Sequence, residues 1–228
     1  MRKTAAAVLV GILFAVLTAC GSDDRTSVGS TVASGFTATS IRLEGPWYSV
    51  DLPQVAGGSD DARTDFNEGM RAEVDPFIRS AAENRKVTGF RSEVAHIGGH
   101  VLSGVLGIEV DDGYVHPTTF KRTHVTDIDT GKALTLPDLF SNLQKGLEVL
   151  SAQAAAQIPK TRVGTNPYDK ERIAPAVENF KDWLATPDGL RVYVGEIASH
   201  ALGYIDFTIP WSELDQVLKP GLRAVVSS

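Results

Sequence analysis

Apolar positions along the chain follow two periods, one near two residues and one of three to four, and their succession predicts the order of elements. Trp47 to Leu52 reads as a short strand ended by Pro53. From Asp60 to Lys86, Phe66, Met70, Val74, Phe77, Ile78 and Ala81 recur at helical spacing, with Asp60 or Asp61 suited to the cap. Pro76 is expected to kink or divide that helix, because its ring clashes with the preceding turn. Val87 to Ile97 and Val101 to Val110 read as strands joined around Gly98-Gly99, and Asp111-Asp112-Gly113 turns the chain again. Thr118 to Ile128 is a polar strand of period two, and Ala133 to Leu136 a brief one.

Pro137 and Asp138 suit the first turn of a helix, where no amide donor is needed and negative charge is favoured. That helix presents Leu139, Leu143, Leu147, Leu150, Ala154 and Ile158, and a second one from Glu171 to Leu184 carries Val177, Phe180 and Trp183. Leu190 to Gly195 and Leu202 to Ile209 read as strands, and Trp211 to Leu218 as a short terminal helix. Strands and helices mix without a βαβ alternation, and the joins are short. The prediction is an α+β fold, an antiparallel β-sheet with helices packed on it.

The first residues follow a different rule. Arg2 and Lys3 precede an uncharged run from Ala5 to Leu17, and Leu17-Thr18-Ala19-Cys20 closes it. Charge, apolar run and small residues in this order read as an export signal over residues 1–19, too short to span a bilayer, which needs roughly 20 apolar residues. Leu-x-Ala-Cys resembles the lipobox of bacterial lipoproteins, which implies diacylglycerol on the Cys20 thiol. Cys20 is the sole cysteine and so has no disulfide partner within the chain. Two acyl chains supply what stable anchoring needs, at about 0.8 kcal/mol per buried CH2. Residues 20–40, rich in Gly, Ser, Thr and Asp, are then a flexible lipidated tether. The expected location is the extracytoplasmic face of the cell membrane.

Charge narrows the partner. Cleavage before Cys20 leaves 20 of the 22 basic residues against 28 acidic ones, a formal charge of −8. Nucleic acid is thereby disfavoured, since binding it requires phosphate-neutralising Lys and Arg. A basic partner is electrostatically compatible.

A search for chemistry returns little. There is no Gly-x-Ser-x-Gly, and Thr130-Gly131-Lys132 lacks the preceding glycine of a phosphate loop, so it reads as a turn. Ser103, beside Gly104, reads foremost as a packing residue of a strand. His96, His100, His116 and His124 could meet across a sheet to hold a metal, but no acidic support is identifiable and none is expected to be bound. No catalytic residue, metal or cofactor is assigned.

Three stretches resemble a known series: Gly113-Tyr114-Val115-His116-Pro117, Asp127-Ile128-Asp129-Thr130-Gly131-Lys132, and Leu134-Thr135-Leu136-Pro137-Asp138-Leu139-Phe140. With Asp188 to Tyr193 and Gly203 to Pro210, their order is similar to the RsiV-like domain of extracytoplasmic parts of anti-sigma factors, also found in a mycobacterial secreted immunogenic antigen. The family pattern Gly-Ala-His-Pro is altered here, since Tyr114-Val115 adds a residue and removes the alanine. The resemblance implies an RsiV-like C-terminal domain over residues 101–228, preceded by an α+β lobe over residues 41–100. It implies non-enzymatic binding or sensing of a protein or peptidoglycan-related envelope ligand, lysozyme-like in the RsiV branch, with Tyr114 and His116 as candidate ligand-binding residues. Two alternatives stay open: an envelope esterase or hydrolase using Ser103 with His116, and a structural or host-interaction surface antigen.

Overall fold

The computed structural model describes residues 35–228, with the side chain of His200 excepted. The export signal and Cys20 lie outside the described residues. Strand β1 (Phe36–Gly45) pairs antiparallel with β2 (Tyr48–Gly57), so Phe36 to Ser40, expected in the tether, are folded. Phe36 is buried and anchors that start. β2 runs past Pro53, where β1 is its ladder partner and β3 (Lys86–Gly89) no longer reaches, since β2 and β3 pair in parallel only at Tyr48 and Ser49. A missing amide is tolerated at such a position.

Helix α1 (Asp60–Ser80) passes through Pro76 without dividing and buries Ala62, Phe66, Met70 and Val74. The expected strand from Val87 to Ile97 is two strands, β3 and β4 (Glu93–Ile97), separated by Phe90 to Ser92. Both pair antiparallel with β5 (Val101–Asp111), which pairs on its other side with β6 (Thr118–Asp127). The two-residue β7 (Lys132–Ala133) completes a sheet ordered β1-β2-β3-β5-β6-β7, with β4 beside β5. The expected lobe boundary between residues 100 and 101 therefore falls inside the β4–β5 hairpin, where Ile97 pairs with Leu102.

The long helix expected from Pro137 is two. α2 (Leu136–Leu139) is closed by a capping box between Thr135 and Asp138, and α3 (Leu143–Gln157) starts anew where the Asn142 side chain accepts from the Lys145 amide. The helix expected from Glu171 to Leu184 does not form. Pro175 interrupts it, leaving a 3-10 turn over Lys170–Ile173 and α4 (Val177–Phe180); Trp183 and Leu184 belong to strand β8 (Trp183–Thr186). β9 (Gly189–Val194) and β10 (Ile205–Pro210) join β8 in a second antiparallel sheet ordered β10-β9-β8. After Pro210 only a 3-10 turn forms over Trp211–Glu213, and the last helix is α5 (Leu222–Val226).

β5 organises the core by alternation. Leu102, Leu106, Ile108 and Val110 pack with Phe66, Met70 and Val74 of α1. Val101 joins the core of α3 and the second sheet, and Val105 meets Leu184 and Tyr193. Gly104 faces α1, where an added Cβ would lie 2.7 Å from both Met70 Sδ and Phe66 Cζ. The fold is α+β, as the sequence patterning predicts.

Candidate functional site

Ser103 does not face a cleft. It is fully buried on β5, its hydroxyl donating to the Ala185 carbonyl at 2.9 Å and accepting from the Ala185 amide at 3.1 Å. The hydroxyl thus holds the free edge of β8, and two residues earlier on that strand the Trp183 amide donates to the Thr123 hydroxyl of β6 at 2.9 Å. The Ser103 version of a hydrolase has no supporting geometry.

The histidines are dispersed. His96 Nε2 lies 2.8 Å from the Ser228 carbonyl oxygen, His100 Nδ1 lies 2.8 Å from Asp129, and His124 Nε2 donates to Asp65 at 3.0 Å. Asp65 also accepts from Thr126 Oγ1 and the Ala133 amide; burial raises its pKa, but these hydrogen bonds outweigh burial and hold it below the usual carboxylate range. Among the described residues no group of three His, Cys, Asp or Glu side chains is arranged to hold a metal ion. No described helix is long and apolar enough to cross a membrane.

His116 alone of the four borders a large cavity, a cleft of about 620 Å³ where the two sheets meet beside the β5–β6 hairpin. Tyr114, its companion in the sequence reading, stands on the hairpin tip, 81% exposed beside the 90% exposed Val115, and is not part of the wall. The turn is fixed below it: Gly113 takes a φ of 78°, its amide donates to Asp111 Oδ1, and Arg85 Nη1 holds both Asp112 carboxylate oxygens at 2.5 and 2.7 Å.

The first sheet supplies the cleft floor by strand parity. Thr119 and Lys121 alternate on β6, and Val105 lies on neighbouring β5. Lys121 pairs with Gly107, where an added Cβ would fall 1.9 Å from the Phe90 carbonyl oxygen. That bare position admits the Phe90 to Ser92 segment, secured by the Phe90 amide to the Gly107 carbonyl at 2.9 Å and the Gly107 amide to Ser92 Oγ at 3.1 Å. Arg91 sits at its apex with a φ of +46°, a left-handed conformation that L-residues other than Gly, Asn and Asp seldom take. The second sheet contributes Arg191, Tyr193 and Asp206, and the chain before β10 contributes Leu202 and Tyr204. Arg162, from the loop after α3, donates to the Tyr204 carbonyl.

Four cations and two carboxylates line this cleft, so it is locally positive in a chain of formal charge −6. Arg191 is neutralised by a two-pronged contact with Asp206 Oδ2 at 2.5 and 3.1 Å. Lys121 has no such partner among the described carboxylates. Its ammonium donates to the Arg91 carbonyl at 3.3 Å and lies 4.7 Å from the Phe90 ring centroid and 6.0 Å from that of Tyr193. Burial, and then the neighbouring Arg91 guanidinium, depress its pKa below the ordinary lysine value.

Behind β6, a second cluster is of opposite character. Arg122 lies 3.3 Å from Asp182 and 4.0 Å from Glu73. Burial pushes Asp182 up to about 6 despite Arg122, with Glu73 adding to the rise, and burial likewise raises Glu73.

Residues 137–212 match a family model described as a protein of unknown function, DUF3298. Over that segment, about a third of the chain, the sequence is similar to the DUF3298 family. Two solved structures resemble it along most of its length. A DUF3298 family member from Bacteroides fragilis, 15% identical, superposes with a TM-score of 0.60 over 85% of this chain and 98% of its own. A DUF3298 family protein from Pseudomonas aeruginosa, 14% identical, gives 0.52 over 82% and 95%. No curated protein matches. At these identities the likeness concerns fold. Arg162, Arg191, Tyr193, Tyr204 and Asp206 fall within the matched DUF3298 segment, whereas Phe90, Arg91, His116 and Lys121 precede it, so the cleft forms where that segment meets the earlier strands.

Sequence reasoning found His116 but not the four cations. Lys121 was visible as a polar residue in an alternating strand. Arg91 was hidden in what read as one continuous strand, and Arg162 in a loop; only the tertiary fold brings them together.

Proposed function

We propose that the protein is an extracytoplasmic lipoprotein, anchored in the cell membrane through lipid on Cys20, that binds a protein or cell-envelope ligand without transforming it. The observation that carries this reading is the cleft itself: a wall of fixed cations and aromatic rings of ligand-accommodating size, in which the buried serine takes no part. The motif order similar to the RsiV-like domain supports a sensing role, and a lysozyme-like protein is the first ligand to try. The acidic balance outside the cleft suits such a basic partner.

The experiment has two arms. Purified full chain in detergent is passed over immobilised lysozyme and over peptidoglycan fragments across a salt series, with ester hydrolysis followed in parallel. Saturable retention that a cleft substitution abolishes, without turnover, supports the reading; absence of retention even at low salt rules out both ligands. Cys20→Ala is expected to remove the lipid mass and release the protein from the membrane fraction. A variant that stays in the membrane would refute the anchor.

A further inference from the structure

Like charges are brought together here at a cost, and that cost identifies what the cleft is built for. Lys121 is half-buried on β6, and its contacts are a carbonyl oxygen and two aromatic ring faces, leaving ammonium donors open towards the cleft. Arg162 donates to the Tyr204 carbonyl, and Arg91 forms no ion pair among the described residues. Only Arg191 is matched, by Asp206. Solvation of the ammonium is thus reduced with no carboxylate at ion-pair distance, Glu93 and Asp206 acting on it only from farther along the cleft wall.

The backbone adds an independent observation. Arg91 occupies a left-handed position that glycine would take without penalty, and a non-glycine residue there is strained. The strained residue carries a guanidinium, and it stands on the rim of the cleft whose floor is Lys121. Gly107 is bare directly beneath, which permits the approach of Phe90 and Lys121. Strain, a bare glycine and unmatched cations converge on one place.

We infer that the cleft holds a small organic anion, its phosphate or carboxylate among Lys121, Arg91 and Arg162 and its body against Tyr204 and Leu202. A cavity of about 620 Å³ admits a metabolite-sized molecule, and planar guanidinium groups favour such oxyanions through paired charge-assisted hydrogen bonds. The inference rests on the binding reading above and names the chemical class of its ligand.

The test is calorimetric titration of the purified full chain at about 150 mM salt, where loose surface attraction is screened. The probes are phenyl phosphate, benzoate and neutral benzamide. Saturable binding of phenyl phosphate or benzoate is expected, with benzamide about tenfold weaker or worse, and the better of the two anions assigns phosphate or carboxylate. Lys121→Met, which keeps the apolar stem, is expected to weaken binding about tenfold or more. Arg91→Gly is expected to weaken it too while leaving the thermal midpoint unchanged or higher, so loss of folding cannot explain the result. Equal binding of benzamide, no anion binding, or full affinity in both variants would overturn the inference. Retention on lysozyme is scored separately: a chain that keeps it but ignores the anions refutes the ligand class alone.

Discussion

Ser103 of β5 and Ala185 of β8 are joined by a reciprocal pair of hydrogen bonds, hydroxyl to carbonyl at 2.9 Å and amide to hydroxyl at 3.1 Å. A side chain standing on the face of one sheet thus does for the edge of the other what a further strand would do. Edge groups left open are a liability, and buried ones are costly.

Ser103→Ala should therefore destabilise the protein by roughly 2–4 kcal/mol, because both Ala185 groups lose their partner in a buried site. Chemical denaturation of both forms checks this. A change below about 0.5 kcal/mol, within the range of surface substitutions, would show that water replaces the hydroxyl.

Gly107→Ala should remove the platform for the Phe90 to Ser92 segment, since the new methyl carbon would fall 1.9 Å from the Phe90 carbonyl oxygen. Overpacking of this kind costs about 1–3 kcal/mol. Thermal unfolding combined with amide exchange should place the loosening at Phe90, Arg91 and Ser92. A variant with wild-type stability and exchange would contradict the packing described.

The buried Asp182 gives stability a pH dependence of unusual sign for a carboxylate. Its folded pKa is raised to about 6, so the folded state holds the proton more tightly than the unfolded one, and stability is expected to rise as pH falls from 7 towards 4. Glu73, also raised, acts in the same direction. Asp65 is lowered and works oppositely, its contribution being lost only below the ordinary carboxylate range. Urea midpoints at pH 7.5 and pH 5 should show the gain, and Asp182→Asn should shrink it. A midpoint that falls between those two values would refute the assignment.

Anion affinity should itself fall with rising pH before the ordinary lysine range is reached, because burial and Arg91 depress the Lys121 pKa. The groups facing Lys121 are Arg91, Glu93, Arg191 and Asp206, with Tyr193 and His116 also on the cleft wall. Burial raises the Tyr193 pKa, keeping the phenol neutral to higher pH. Titration with phenyl phosphate from pH 7 to 10 checks this, and Lys121→Met should flatten the profile. An equally steep profile in that variant would assign the effect to another group.

Periodicity alone carried the α1 face, β5, β6 and β9, because each buries one regular stripe whose spacing survives in the chain. It failed between Glu171 and Leu184, where Phe180 and Trp183 keep helical spacing although Pro175 stops the helix and Trp183 enters a strand. It failed again at Phe90, whose departure from the strand is set by Gly107, seventeen residues away. The cleft was legible only at His116. Cations contributed by Arg91, Lys121, Arg162 and Arg191 share no local pattern, and their proximity depends on how the two sheets pack.

A strand that gives Leu102 and Leu106 to one core and Val101 and Val105 to others cannot leave either side without opening both. β5 makes the two halves thermodynamically one. Heat should melt them together in a single calorimetric transition, and truncating the chain after β4 should yield a polypeptide that a protease clears rather than a stable smaller protein.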